Sequence, residues 1–121
     1  MDPNLSGRPA LLVVEDDTGL REALAFILSG EGREIVMASS GEEALALIAE
    51  LDSLDGLYTD IRLSGRATGW EVGEAFHQKW PTKPIVYASS RAWPSARMMC
   101  TGVFMQKPVD LRRLLAVLIR D

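Results

Sequence analysis

Three acidic residues in a row, Glu15-Asp16-Asp17, follow directly on the apolar run Leu11-Leu12-Val13-Val14. Such a run reads as a strand buried on both faces, whose carboxyl end delivers charge to the rim of a sheet. Carboxylates crowded there repel one another and need water, hydrogen-bond donors or a cation to neutralise them. A hard divalent cation such as Mg2+ suits them, because it takes oxygen ligands and keeps several of its waters. The pattern recurs along the chain. Gly56-Leu57-Tyr58-Thr59 leads into Asp60, Ile85 to Ala88 leads into Ser89-Ser90, and Val103-Phe104-Met105 ends near Lys107-Pro108.

Between these strands lie the elements that must position them. Leu20, Ala23, Leu24, Ile27 and Leu28 recur at helical spacing, with Gly30 and Gly32 available to end the helix. Glu34 to Ala38 reads as a strand and Ser39-Ser40-Gly41 as a capping turn. Ala44, Leu45, Ile48 and Leu51 form a second stripe, Val72, Ala75, Phe76 and Trp80 a third. Asp110 caps a last helix carrying Leu111, Leu114, Leu115 and Leu118. The segment from Ile61 to Gly69 is loop-like. Trp93-Pro94 interrupts the stretch from Arg91 to Thr101, leaving room for only about two turns of helix. Strands alternating with helices imply right-handed crossovers and a parallel sheet covered on both faces, with its functional crevice outside the carboxyl ends of the strands. Carboxylates, a hydroxyl and an ammonium thereby converge from four strand ends.

At 121 residues the chain makes one domain. Residues 1–9, with two prolines and a Ser-Gly pair, read as a flexible leader to a domain over 10–121. A net charge of -4 speaks against a nucleic-acid partner, which needs a basic face. No apolar run approaches the ~20 residues of a membrane span. Cys100 is the single cysteine, and the N-terminal residues lack the pattern of a signal peptide, so the cytoplasm is the expected location.

These residues, in this order at strand ends, resemble the receiver domain of bacterial two-component response regulators over essentially the whole chain. The resemblance implies an α/β, flavodoxin-like (CheY-like), three-layer doubly wound sheet of five parallel strands in the order 2-1-3-4-5, with five helices. It implies that Asp60 accepts a phosphoryl group from a sensor histidine kinase or a histidine phosphotransfer protein. Glu15, Asp16, Asp60 and the backbone carbonyl of Arg62 then hold Mg2+, Ser89 contacts the phosphoryl oxygens, and Lys107 pairs with the phosphate. Ser89 and the aromatic Phe104 form the switch, while Asp17 is left to cap the first helix. A receiver of this kind is no conventional enzyme; it promotes its own phosphorylation and dephosphorylation and signals through a downstream protein target. With no effector domain in these residues, a stand-alone receiver is expected, and a weak homodimer is the self-association this reading allows. The alternative is a degenerate receiver acting as a phosphorylation-independent binding module. A phosphohydrolase on a related sheet would want a second aspartate just after the nucleophile, which Asp60-Ile61-Arg62 lacks.

The sequence also departs from that family. Leu63-Ser64 stand where a Met-Pro pair is usual, so a looser loop from Arg62 to Gly69 is expected. The stretch from Ser89 to Lys107 is short, so the fourth helix is expected to be atypical, short or disrupted, with Trp93 or Met98-Met99 offering an apolar patch. Arg62 and Arg91 lie two residues beyond the nucleophile and the hydroxyl, within expected reach of a phosphoryl group. Phe26 falls off the stripe of the first helix, on a face where phosphodonors dock in this family.

Overall fold

In a computed structural model the described residues are 10–92 and 102–119. The leader, Trp93-Pro94 with most of the expected fourth helix, Met98-Met99 and Cys100 lie outside them. Helices are therefore numbered as they occur among the described residues.

Every residue of β1 (Ala10–Val14), β3 (Gly56–Asp60) and β4 (Ile85–Ser89) is buried, as apolar strands in the middle of a parallel sheet must be. β2 (Glu34–Ala38) and β5 (Val103–Gln106) are partly exposed, because they form the two edges. All pairs are parallel and the order is β2-β1-β3-β4-β5, the doubly wound arrangement expected. Alternation along β1 divides the core in two. Leu11 and Val13 pack with Leu24 and Leu28 of α1 (Thr18–Ser29) and Leu114 and Leu118 of α4 (Leu111–Leu118). Leu12 and Val14 pack on the other face with Ala44 and Ile48 of α2 (Gly41–Glu50) and Val72 and Phe76 of α3 (Gly69–Lys79).

Local chemistry starts each helix. Asp17, Ser40 and Asp110 accept backbone N–H groups at the first turns of α1, α2 and α4, and Thr68 with Glu71 makes a reciprocal capping box on α3. α3 lies close against the sheet at two glycines. A Cβ at Gly69 would overlap the carbonyl oxygen of Asp60, and one at Gly73 would overlap the Tyr87 hydroxyl. The helix is also tied to the residue just past β3 through the Gly69 N–H, which donates to the Ile61 carbonyl at 2.9 Å.

On the opposite side α4 does not fully cover α1. Leu20, Ala23 and Ile27 of α1 face Pro108, Val109 and Leu111 across a groove of about 490 Å³. Ala23 is accordingly exposed although it sits on the apolar stripe, and Phe26 on the same helix is 81% exposed. Tyr58 also borders this groove. Its hydroxyl is buried without a hydrogen-bond partner among the described residues. Burial raises the pKa of the phenol, and the Glu15 and Asp60 carboxylates push the same way. Because an unsatisfied buried hydroxyl costs about 1–3 kcal/mol, Tyr58→Phe is expected to stabilise the fold by about 1 kcal/mol, read as a higher urea midpoint at unchanged slope.

Candidate functional site

The carboxyl ends of β1, β3, β4 and β5 meet because the strands are parallel and in neighbouring register. Val14 pairs with Thr59 across β1 and β3, Asp60 with Ala88 across β3 and β4, and Ser89 with Gln106 across β4 and β5. Each of these side chains therefore sits at the end of a strand or within two residues of it. The Glu15 N–H still donates to Ala38 at 3.1 Å and the Lys107 N–H to Ser89 at 2.7 Å, so the ladder holds both side chains in place. The peptide bond from Lys107 to Pro108 is cis.

Lys107 bridges the site. Its Nζ donates to Glu15 Oε1 at 2.7 Å and to Asp60 Oδ2 at 3.2 Å. Glu15 is 1% exposed and Asp60 7%, so this ammonium compensates two carboxylates that water barely reaches. Burial raises the pKa of Glu15; the Lys107 hydrogen bond and the Asp17 N–H offset only part of that, and the charge on Asp60 adds to it. For Lys107, burial alone would lower the pKa, but the Glu15 and Asp60 carboxylates more than reverse it, and the ammonium is held charged.

Asp16 completes the cluster from the exposed rim. Ligand oxygens of Glu15, Asp16 and Asp60 lie within 4.8 Å of one another. Three carboxylates against one ammonium leave an excess of negative charge, and an all-oxygen donor set of this size is the chemistry that Mg2+ takes. Asp17 stands apart from the cluster, its Oδ1 accepting from Leu20 N–H at 3.1 Å as the cap of α1. Of the two serines at the end of β4, Ser89, its last residue, is the buried one, at 1% exposure, and Ser90 just beyond it is exposed. Ser89 Oγ accepts from the Arg91 N–H at 3.1 Å, which leaves the hydroxyl proton available to a further acceptor. Phe104 is half-buried on β5, packed against the core on the α2 and α3 side. Arg62 and Arg91 are exposed at the mouth.

Several contributors were not visible in the sequence. Arg21 Nη1 donates to the Glu15 carbonyl at 2.7 Å and so fastens α1 to the acidic turn. The loop after Asp60, expected to be loose for want of a proline, is tied by three of its own amides. Ser64 N–H donates to Asp16 Oδ2 at 3.2 Å, and Arg66 and Ala67 N–H donate to Glu42 Oε2 at 2.7 and 3.2 Å. Between them Gly65 adopts φ +88°, a conformation that strains other residues, and a Cβ there would lie 2.6 Å from Glu42 Oε1. Glu42 looks in sequence like an ordinary acidic residue in the first turn of a helix; only the path of the loop shows its second role.

The Arg66 N–H, with that of Ala67, lowers the pKa of the Glu42 carboxyl below its ordinary value of 4.5. A depressed folded pKa means that this tie is present above the ordinary value and is lost as the pH falls through the lower, folded one. Protection of the Arg66 and Ala67 amides, taken relative to the intrinsic exchange rate at each pH, is therefore expected to hold from neutrality down to about pH 5 and to weaken below the ordinary carboxylate pKa. Glu42→Ala is expected to show the weak protection already at neutral pH, which hydrogen-exchange mass spectrometry would detect.

Comparison with known proteins agrees with this architecture. The sequence profile of the response regulator receiver domain matches residues 11–119. Response regulator MprA of Mycolicibacterium vanbaalenii is 34% identical over 110 residues, covering 88% of this chain but only 47% of the MprA chain. The chain thus spans about half the length of that relative. Among solved structures, a response regulator receiver domain protein (CheY-like) from Methanospirillum hungatei superposes with a TM-score of 0.79 at 28% identity, covering 89% of this chain and 88% of its own. A response regulator receiver protein from Sinorhizobium medicae shares the fold with a TM-score of 0.84 at 24% identity, covering 93% and 92%. Among the described residues no helix is long and apolar enough to cross a membrane.

Proposed function

The chain belongs to the response regulator receiver domain family, and on that premise we propose that Asp60 is its phosphoacceptor. The observation that carries the proposal is the Lys107 ammonium bridging Glu15 and Asp60 at 2.7 and 3.2 Å. An oxygen of the Asp60 carboxylate attacks the phosphorus of a phosphohistidine. The P–N bond breaks, the imidazole keeps the electron pair and takes a proton from solvent, and an acyl phosphate remains on Asp60. Lys107 follows the new charge and pairs with the phosphoryl oxygens, while the Ser89 hydroxyl donates its proton to another of them. Glu15, Asp16, Asp60 and the Arg62 carbonyl would hold Mg2+, which would supply the remaining positive charge when bound. With Ser89 drawn inward, Phe104 follows, and the surface around β5 changes for a downstream protein.

The proposed donor is a sensor histidine kinase or a histidine phosphotransfer protein, meeting the α1 side, the helix that carries Phe26, 81% exposed, and lines the apolar groove with Leu20, Ala23 and Ile27. A cytoplasmic location goes with such a partner. The test is direct. Incubation with acetyl phosphate and Mg2+ is expected to add the mass of one phosphate in an acid-stable, base-labile form, with no gain in excess EDTA. No gain under either condition would favour the alternative, a binding module that works without phosphorylation.

A further inference from the structure

We propose that the backbone N–H of Ser64 positions Asp16 as a metal ligand. This inference rests on the reading of Glu15, Asp16 and Asp60 as a Mg2+ site. The three carboxylates are held very differently. Glu15 is buried, paired with Lys107 at 2.7 Å and with the Asp17 N–H at 3.2 Å, and Asp60 is buried and paired with the same lysine at 3.2 Å. Asp16 is exposed and receives nothing from Lys107. Among the described residues its hydrogen-bond donor is the Ser64 N–H, at 3.2 Å and 48 residues away in the chain.

An exposed carboxylate on a free rotor must give up its side-chain freedom when it takes up a metal, and a donor that has already fixed one of its oxygens removes part of that cost. One N–H can satisfy one oxygen and leave the other oxygen's lone pairs for a cation. The donor is itself fixed. Two and three residues on, Arg66 and Ala67 are held at Glu42 on α2, and on the other side the Ile61 N–H donates to the Ala88 carbonyl at 2.9 Å, so Ser64 is presented from a loop tied at both ends. The contact is a backbone one, and the single substitution that removes it without touching any charge is proline, which has no N–H to donate. This gives Leu63-Ser64 a positive role: where a proline stood here, Asp16 would lose this donor.

The experiment titrates Mg2+ alone into wild type, Ser64→Ala and Ser64→Pro by calorimetry, with no phosphodonor present, and follows the Ser64 amide by hydrogen exchange with and without Mg2+. Ser64→Ala keeps the N–H and is expected to bind as wild type does. Ser64→Pro is expected to bind about threefold to tenfold more weakly. The wild-type Ser64 amide is expected to stay protected when Mg2+ is bound. Equal affinity in wild type and Ser64→Pro, weakening in Ser64→Ala, or loss of amide protection on adding Mg2+ would each overturn the inference, the last by showing that donor and metal compete. Should Ser64→Pro not fold, the wild-type amide decides alone. Wild type that takes up no Mg2+ would instead refute the metal site itself.

Discussion

Asp60→Asn is expected to accept no phosphate at all from acetyl phosphate or a phosphohistidine donor, while remaining folded. Asparagine keeps the size of the side chain but offers no anionic oxygen to attack phosphorus. The loss cannot be blamed on collapse of the site, because the closer of the two contacts of Lys107, 2.7 Å to Glu15, survives the change. Removing the Asp60 charge also relieves its repulsion of Glu15. Stability within about 1 kcal/mol of wild type is therefore expected from urea denaturation, alongside complete loss of the mass gain. Phosphate appearing on the variant at the wild-type level would move the acceptor elsewhere and sink the proposal.

Lys107→Met should have the larger effect on stability. Methionine fills the space and leaves Glu15, 1% exposed, beside Asp60 with no counter-charge. Removing one partner of a buried ion pair costs about 3–5 kcal/mol in general; with Lys107 itself 20% exposed, about 2–4 kcal/mol is expected at neutral pH. The sign of the pH dependence follows from Glu15. Its folded pKa already lies above the ordinary 4.5, and loss of the lysine drives it higher. A raised folded pKa penalises folding above the ordinary value, and the penalty fades as the pH falls toward it. The gap between wild type and variant should thus shrink between neutrality and about pH 5, and saturating Mg2+ should narrow it at neutral pH. A gap independent of both pH and Mg2+ would show that Glu15 is not the strained partner.

The sheet was legible because its three inner strands are unbroken apolar runs that each stop at a polar group, and because the caps Asp17, Ser40 and Asp110 announce their helices by residue type. Glu15, Asp16, Asp60 and Lys107 could be placed together from the parallel order alone. What stayed hidden is what any residue could have supplied. The ties on the loop after Asp60 use the N–H groups of Ser64, Arg66 and Ala67, which carry no signature in sequence. Tyr58 reads as one more apolar strand residue, and nothing in its neighbours shows that its hydroxyl ends without a partner among the described residues. Ala23 lies on the apolar stripe yet remains exposed, because the distance between α1 and α4 is a property of the packed molecule.

Gly69 and Gly73 are one turn apart on α3, and neither leaves room for a methyl group against the Asp60 carbonyl and the Tyr87 hydroxyl. A map of tolerated substitutions would therefore mark both as indispensable, alongside Asp60 and Lys107, although neither glycine carries a group that reacts. Selection for signalling and selection for folding would be indistinguishable at these two sites. Only a screen that scores abundance separately from phosphate uptake would divide them, with the glycine variants lost from both readings and Asp60→Asn lost from the second alone.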